Sequence, residues 1–223
     1  MPIIPGHEIV GRADALDTGV TGLELGQRVG IPWLGHTCGV CPYCKMQREN
    51  LCDHPLFTGD TRDGGFGAAA HILAQVAAWQ GRSVYAFARP GDHATQDFAR
   101  GLGVAWAGGS AETPPQALDA AIIFATVGDR VPLAWKAVRK GGRVVCAGIY
   151  MRDLPCSPCS LLWEERQLVS VANLTRRDGL DFPSQAPRMG LVTKTTHDPS
   201  VEANQALADL RAGRFDGAAV LLR

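Results

Sequence analysis

Cys38, Cys41, Cys44 and Cys52 fall within fifteen residues, in the run CGVCPYCKMQRENLC. The CxxCxxC spacing lets three thiolates converge in one tight loop, and the fourth arrives after a short excursion. Four soft sulfur ligands suit the closed tetrahedral coordination of a structural zinc. The competing use of so many cysteines is a pair of disulfides in a secreted protein. The segment MPIIPGHEIVGR has no basic head followed by an apolar core and a small-residue cleavage site, so export is not expected, and in a reducing compartment clustered thiols bind metal more often than they oxidise. A second CxxC, Cys156 and Cys159 in PCSPCS, lies among prolines with no further thiol pair near it, and it lacks the βαβ setting of a redox motif. Cys146 falls in an apolar run and reads as core. His36 and His54 flank the cysteine run as spare ligands that four thiolates make unnecessary.

A second kind of chemistry is suggested by GFGAAA at 65–70. Gly65 and Gly67 have the spacing that lets a backbone approach a pyrophosphate at a helix N-terminus. The alternative is a plain glycine-rich turn, because TGDTRDG upstream is polar where a buried strand should lead into the fingerprint. About twenty residues further on, where an acidic side chain holds the ribose of NAD, the chain has Arg89. A guanidinium suits a 2′-phosphate, so NADP(H) is expected over NAD(H); the alternative is a solvated charge at a strand end.

These groups need elements to position them, and the pattern changes near residue 65. Residues 1–64 are rich in Gly, Pro and Cys, with short strand-like pieces in HEIVGR and QRVGIPW, as in a turn-rich β region organised around a metal. Residues 67–80 carry Ile72, Leu73, Val76 and Trp79 at helical spacing. SVYAFAR then reads as a strand, HATQDFARGLG as a helix, and VAWAG and LDAAIIFATV as strands. VPLAWKAVRKGG reads as a helix with a basic last turn and a glycine stop, and RVVCAGIY as a buried strand. Such alternation predicts βαβ crossovers and a parallel sheet, the frame of a nucleotide-binding α/β domain.

Composition narrows the classes. The 223 residues are 46% hydrophobic and formally uncharged overall, enough for a sizeable core and without the basic excess that nucleic acid demands. The apolar stretch LDAAIIFATVG is too short for a bilayer span. A cytoplasmic protein with small-molecule partners, and no nucleic-acid or membrane partner, is expected.

Taken in order, PGHEIVGR, GQRVGIPW, the cysteine run ending ENLC, TGDTRDGGF, the glycine-marked helix start, VVCAGIY and NLTRRDG resemble the zinc-dependent alcohol dehydrogenases of the medium-chain dehydrogenase/reductase superfamily. The stretch SVEANQALADLRAGRFDGAAVLLR resembles that family's closing helix and strand, so the likeness covers nearly the whole chain. It implies a partial GroES-like catalytic domain with the zinc lobe over 1–64, a partial Rossmann domain over 65–190 and a return to the catalytic domain over 191–223. His7 matches a ligand of the catalytic zinc, and Glu8 the carboxylate at or behind that metal. The four cysteines match the structural zinc ligands, and Gly65, Gly67 and Ala70 fall on the phosphate loop. Arg176 matches a basic residue directed at the cofactor pyrophosphate, although TRRDG alone reads as a polar turn. Val127, Gly148 and Ile149 fall on strand ends flanking the nicotinamide, where core packing explains them equally well. The implied reaction is hydride transfer between a primary or secondary alcohol and NAD(P), with zinc as Lewis acid. A homo-oligomer fits the family.

The chain also departs from the family. It starts at the GHE segment, so His7 and Glu8 are all that is expected of the catalytic zinc site. GGFG at 64–67 stands where relatives have two separate glycine-aromatic runs, as after an internal deletion. That deletion takes the first strand of the nucleotide domain, leaving an incomplete Rossmann-type sheet. Two functions stay open, a zinc-dependent alcohol dehydrogenase and an inactive remnant that keeps a structural zinc module.

Overall fold

In the computed structural model, which describes residues 9–16, 18–57, 70–125, 127–148, 153–212, 214 and 218–222, the change of pattern near residue 65 is a change of architecture. One unit is Met1–Ala69 with Asn173–Arg223, and the other is Ala70–Ala172.

The first unit begins with β1 (Ile9–Arg12) paired antiparallel to β2 (Arg28–Ile31), Ile9 opposite Ile31. Arg12 closes the loop between them by donating from Nη1 to the Gly26 carbonyl at 2.7 Å. Next come β3 (Leu34–His36), the short helix α1 (Pro42–Lys45), a 3₁₀ turn at Glu49–Leu51 and β4 (Leu56–Phe57). β3 and β4 pair antiparallel, and Trp33 stacks on Phe57 with ring centroids 5.2 Å apart, so the cysteine loop springs from a two-stranded base.

The second unit realises the expected alternation. α2 (Ala70–Trp79) leads to β5 (Tyr85–Ala88), α3 (His93–Gly101) and β6 (Trp106–Gly109). Asp92 caps α3 by accepting from the Thr95 amide at 3.0 Å, and Gly103 at φ +84° turns the chain out of it. β7 (Leu118–Ile123), α4 (Arg130–Ala137), β8 (Val138–Cys146), α5 (Cys159–Leu162) and β9 (Gln167–Ser170) complete the unit. All its strand pairs are parallel, in two separate sheets, β5 with β6 and β7-β8-β9. In the doubly wound order 3-2-1-4-5-6, β6 and β5 take positions 3 and 2, and β7, β8 and β9 take 4, 5 and 6. Among the described residues no strand takes position 1.

The core of this unit is Ile123, Val131, Val138 and Val144, packed against Leu118, Ala121, Trp135 and Leu168. Cys146 joins it, and burial pushes its thiol pKa up, as befits a core residue. The helix expected over VPLAWKAVRKGG is shorter than the pattern predicts. It stops at Ala137, and Val138, 2% exposed, already belongs to β8. The pairing then jumps from Leu118↔Val138 to Ala120↔Arg143, so the basic and glycine residues form an irregularity in the strand. Burial of the Val138 side chain outweighs the helical propensity of the residues before it. Arg139 bonds Asp119 at 2.6 Å, and the Gly141 amide donates to the Glu164 carbonyl at 2.9 Å.

The chain re-enters the first unit with α6 (Arg176–Met189), β10 (Thr195–Pro199), a 3₁₀ turn at Ser200–Glu202, α7 (Ala203–Ala212) and β11 (Ala218–Leu222). β10 and β11 pair parallel across α7, with Ala206, Ala218 and Ala219 buried. Among the described residues no helix is long and apolar enough to cross a membrane.

Candidate metal centre and cofactor crevice

The cysteine loop assembles a metal site from local geometry. Cys41 caps α1, accepting from the Cys44 amide at 3.5 Å, while Pro42 starts the helix where no amide donor is needed. Further amides point at sulfur: Cys41 to Cys38 Sγ at 3.4 Å, and Cys38 and His54 to Cys52 Sγ at 3.3 and 3.4 Å. The four sulfurs lie within 4.8 Å of one another, and Cys38 and Cys44 are 4.0 Å apart. A tetrahedron with zinc–sulfur bonds of about 2.3 Å has sulfur–sulfur edges of about 3.8 Å, so the thiols fit zinc. Burial pushes the Cys44 thiol up to about 12, against the lowering effect of the Gly39 amide. The Cys38 amide, helped by that of His54, holds Cys52 below its ordinary value. A cation at the centre reverses the burial penalty and takes all four as thiolates. With four protein ligands the site has no open position, so it holds structure and does no catalysis. His36 and His54 stand outside this group; His54 contributes through its main chain.

Within the second unit a crevice of about 550 Å³ opens between β5 and β7. Arg89, Ser110 and Glu112 line it beyond the C-terminal ends of β5 and β6, and Phe124, Val127 and Arg130 follow the end of β7. Its volume is that of a small-molecule site, and it lies where open α/β sheets bind nucleotides. The Arg89 guanidinium donates to no group among the described residues, and Ala70 at the start of α2 lines the same space. The residues present therefore fit the adenosine end of NAD(P). Glu112 already serves the wall, accepting from the Gly109 amide at 2.6 Å. Gly148 packs against the end of β7, where a Cβ would lie 3.0 Å from the Phe124 carbonyl oxygen.

Arg176 is the first residue of α6, in the wall of a groove of about 390 Å³ within the first unit. Pro32, Leu34, His36, Thr37 and Glu49 line the same groove. The polar turn that TRRDG suggests is in fact a capping box. The Asp178 amide donates to Thr175 Oγ1 at 3.2 Å, and Asp178 Oδ2 accepts from the Thr175 amide at 2.8 Å. The pattern T-x-x-D announces such a cap, and it is the signal by which this helix could have been found.

The Thr175 amide, with the Thr175 hydroxyl that donates to Oδ2 at 2.7 Å, holds the Asp178 carboxyl below its ordinary pKa. A depressed folded-state value means the carboxylate contributes stability above the ordinary range, about pH 4, and loses it as pH falls through the folded value. Thr175→Ala is expected to cost about 1 kcal/mol through loss of the cap. Thermal melting should show that loss at pH 7, with a smaller difference between the two proteins below pH 3.

His7, Glu8, Gly65, Gly67 and Ile149 lie outside the described residues. The site residues that sequence reasoning missed are Ser110 and Glu112, which follow β6 with no motif to mark them.

Comparison with known proteins gives the lineage. The alcohol dehydrogenase GroES-like domain family matches residues 1–80. A probable alcohol dehydrogenase, AdhA, of Mycobacterium tuberculosis is 36% identical over 279 residues, taking in 99% of this chain and 80% of that protein. The aligned length exceeds the 223 residues of this chain, so the relative carries internal residues that this chain lacks. An alcohol dehydrogenase of Geobacillus stearothermophilus is 48% identical over 66 residues, 30% of this chain and 20% of that one. Among solved structures, the alcohol dehydrogenase of Aeropyrum pernix superposes with a TM-score of 0.86 at 18% identity, covering 100% of this chain and 83% of that one. CAD from Helicobacter pylori, solved in complex with NADP(H), gives 0.84 at 17% identity, covering 99% and 82%. The two low-identity superpositions establish the fold, a GroES-like region with a Rossmann-type domain whose sheet is incomplete here. The sequence match to the mycobacterial relative, which takes in 99% of this chain and 80% of that protein, shows that the chain belongs to the zinc-dependent alcohol dehydrogenases of the medium-chain dehydrogenase/reductase superfamily.

Proposed function

We propose that the chain moves a hydride between NADP(H) and a primary or secondary alcohol, or the corresponding aldehyde or ketone. The observation that carries this reading is Arg89 in the wall of the crevice beyond β5, where a carboxylate would select NAD. Arg176 is assigned to the cofactor pyrophosphate, Gly65, Gly67 and Ala70 to the phosphate loop, and His7 with Glu8 to a catalytic zinc. Such a metal, when bound, polarises the alcohol oxygen as a Lewis acid. The complex of the Helicobacter pylori fold relative with NADP(H) supports the cofactor choice.

Arg89→Ala is expected to weaken NADPH binding about tenfold, the range of one charge-assisted hydrogen bond to a phosphate, and to leave NADH binding nearly unchanged. Fluorescence titration of both cofactors checks it. Equal affinity for NADH and NADPH, with neither altered by the substitution, would sink the assignment.

One observation favours a second reading. Among the described residues only the four cysteines gather into a metal-binding group, and that group is closed. On this reading the chain is an inactive remnant that keeps the structural zinc. Zinc content and NADPH-dependent reduction of simple aldehydes separate the two: two metals per chain with turnover support the enzyme, one metal without turnover the remnant.

A further inference from the structure

The crevice of the second unit has a feature that cofactor binding does not use, namely the two strands that bound it. Among the described residues β5 is hydrogen-bonded only to β6, and β7 only to β8, so each has there one edge of backbone N–H and C=O groups without a strand partner. Residues of both strands line the same 550 Å³ space, Phe87 and Ala88 on one side and Ala121, Ile122 and Ile123 on the other. Phe87 and Ile122 are 38% and 46% exposed, unusual for large apolar residues in the middle of a parallel sheet, which helices normally cover on both faces. Bare edges of this kind are templates for pairing with another strand.

We propose that the slot between β5 and β7 is a docking site for one extended apolar strand from another polypeptide, running parallel to both. The chemistry of the walls specifies the occupant. Along the strand bodies the lining is apolar, from Phe87, Ala121 and Ile122, with Leu133 and Ala134 of α4 beside them, whereas the charged groups, Arg89, Glu112 and Arg130, sit at the mouth beyond the strand ends. The partner is therefore an uninterrupted run of about five β-branched residues, buried on both faces, with a polar end emerging at the mouth. A two-sided fit is demanded because one strand satisfies two edges at once, joining the two-stranded and three-stranded pieces into one six-stranded sheet in the doubly wound order. The length comparison points the same way: the 279-residue alignment to the mycobacterial relative includes internal chain that these 223 residues lack. Strand addition supplies affinity through main-chain hydrogen bonds and specificity through side-chain fit.

Hydrogen exchange read by mass spectrometry on the full zinc-loaded chain, without nucleotide, tests the site. The probe is a synthetic nonapeptide with four valines and one isoleucine in its centre and lysines at both ends. The control carries N-methyl groups on alternate residues, which removes the donors along one edge only. The unmodified peptide is expected to slow exchange at least tenfold in both 85–88 and 118–123, and the methylated peptide in neither. Protection of one strand alone, equal protection by the methylated peptide, or amides in both strands already slow before peptide is added would each overturn the proposal. The readout involves no cofactor, so it stands or falls apart from the NADP(H) assignment.

Discussion

Replacing Cys44 by serine is expected to remove one zinc equivalent per chain and to unfold the loop between β3 and β4. The side chain is buried in a cluster whose only other buried members are Cys41 and Cys52, with Cys38 packed against them. Among the described residues no aliphatic side chain belongs to that cluster, so metal coordination holds the lobe, as in other small domains too thin for a hydrophobic core. Structural zinc sites of this kind bind with about 10–16 kcal/mol at neutral pH, and that binding energy is folding energy where the site does not preexist. A serine hydroxyl at position 44 is a far poorer ligand for a soft, borderline cation than a thiolate. It leaves three sulfurs and an open position that water enters. Elemental analysis after dialysis should find the variant short of the wild-type content by one equivalent, and limited proteolysis should cut within 38–52. A variant that retained the full wild-type zinc would show that the four cysteines do not hold it. Chelation of the wild-type protein should reproduce the proteolysis, and adding zinc back should reverse it.

The reasons that this site was legible are specific. Cysteine spacing alone encodes it, because the ligands are local and the tight turn at Cys41–Cys44 is dictated by Pro42 and the short helix behind it. The place of Arg89 just past β5 was legible for a different reason: strand, turn and helix lengths in βαβ units vary little, so distance along the chain locates a strand end. Boundaries set by tertiary burial were less legible. Nothing in AVRKGG shows that Val138 leaves the helix, since the decision is made by Val144, Val131 and Ile123 around it. Helix α6 hides behind Gly179, Pro183 and Pro187, residues that argue against a helix. The chain forms one because Thr175 and Asp178 settle its first turn and Gly190, at φ +60°, ends it. The gap in strand order between β5 and β7 was half legible. The polar run TGDTRDG where a strand should stand announces the loss, but only the pairing pattern shows that, among the described residues, β5 and β7 each pair on one side alone.

The incomplete sheet makes the remaining core of the second unit unusually exposed to mutation, and Val144→Ala is expected to reveal this. Val144 is 0% exposed at the centre of β8, paired with Ala121 on one side and Leu168 on the other. Val131, from α4, and Val138 pack into the same cluster at 1% and 2% exposure. Removing two methyl groups forfeits about 0.8 kcal/mol each in transfer free energy, and a further cavity term follows because the β7-β8-β9 backbone cannot collapse into the space. The total is about 2–3 kcal/mol, against a whole-domain stability of about 5–15 kcal/mol for an intact fold. For a unit of this size the loss corresponds to a fall in melting temperature of about 10–20 °C. Val201→Ala is the control, since Val201 is 90% exposed and should move the transition by less than about 0.5 kcal/mol. Scanning calorimetry of both variants at one protein concentration provides the comparison. A Val144→Ala transition within about 3 °C of wild type would mean that the stability of the second unit resides elsewhere than in this cluster. Val144→Asp carries the argument further, because a carboxylate at this position has no hydrogen-bond partner among the apolar side chains of the cluster. Its cost exceeds 4 kcal/mol, and the unit should not fold.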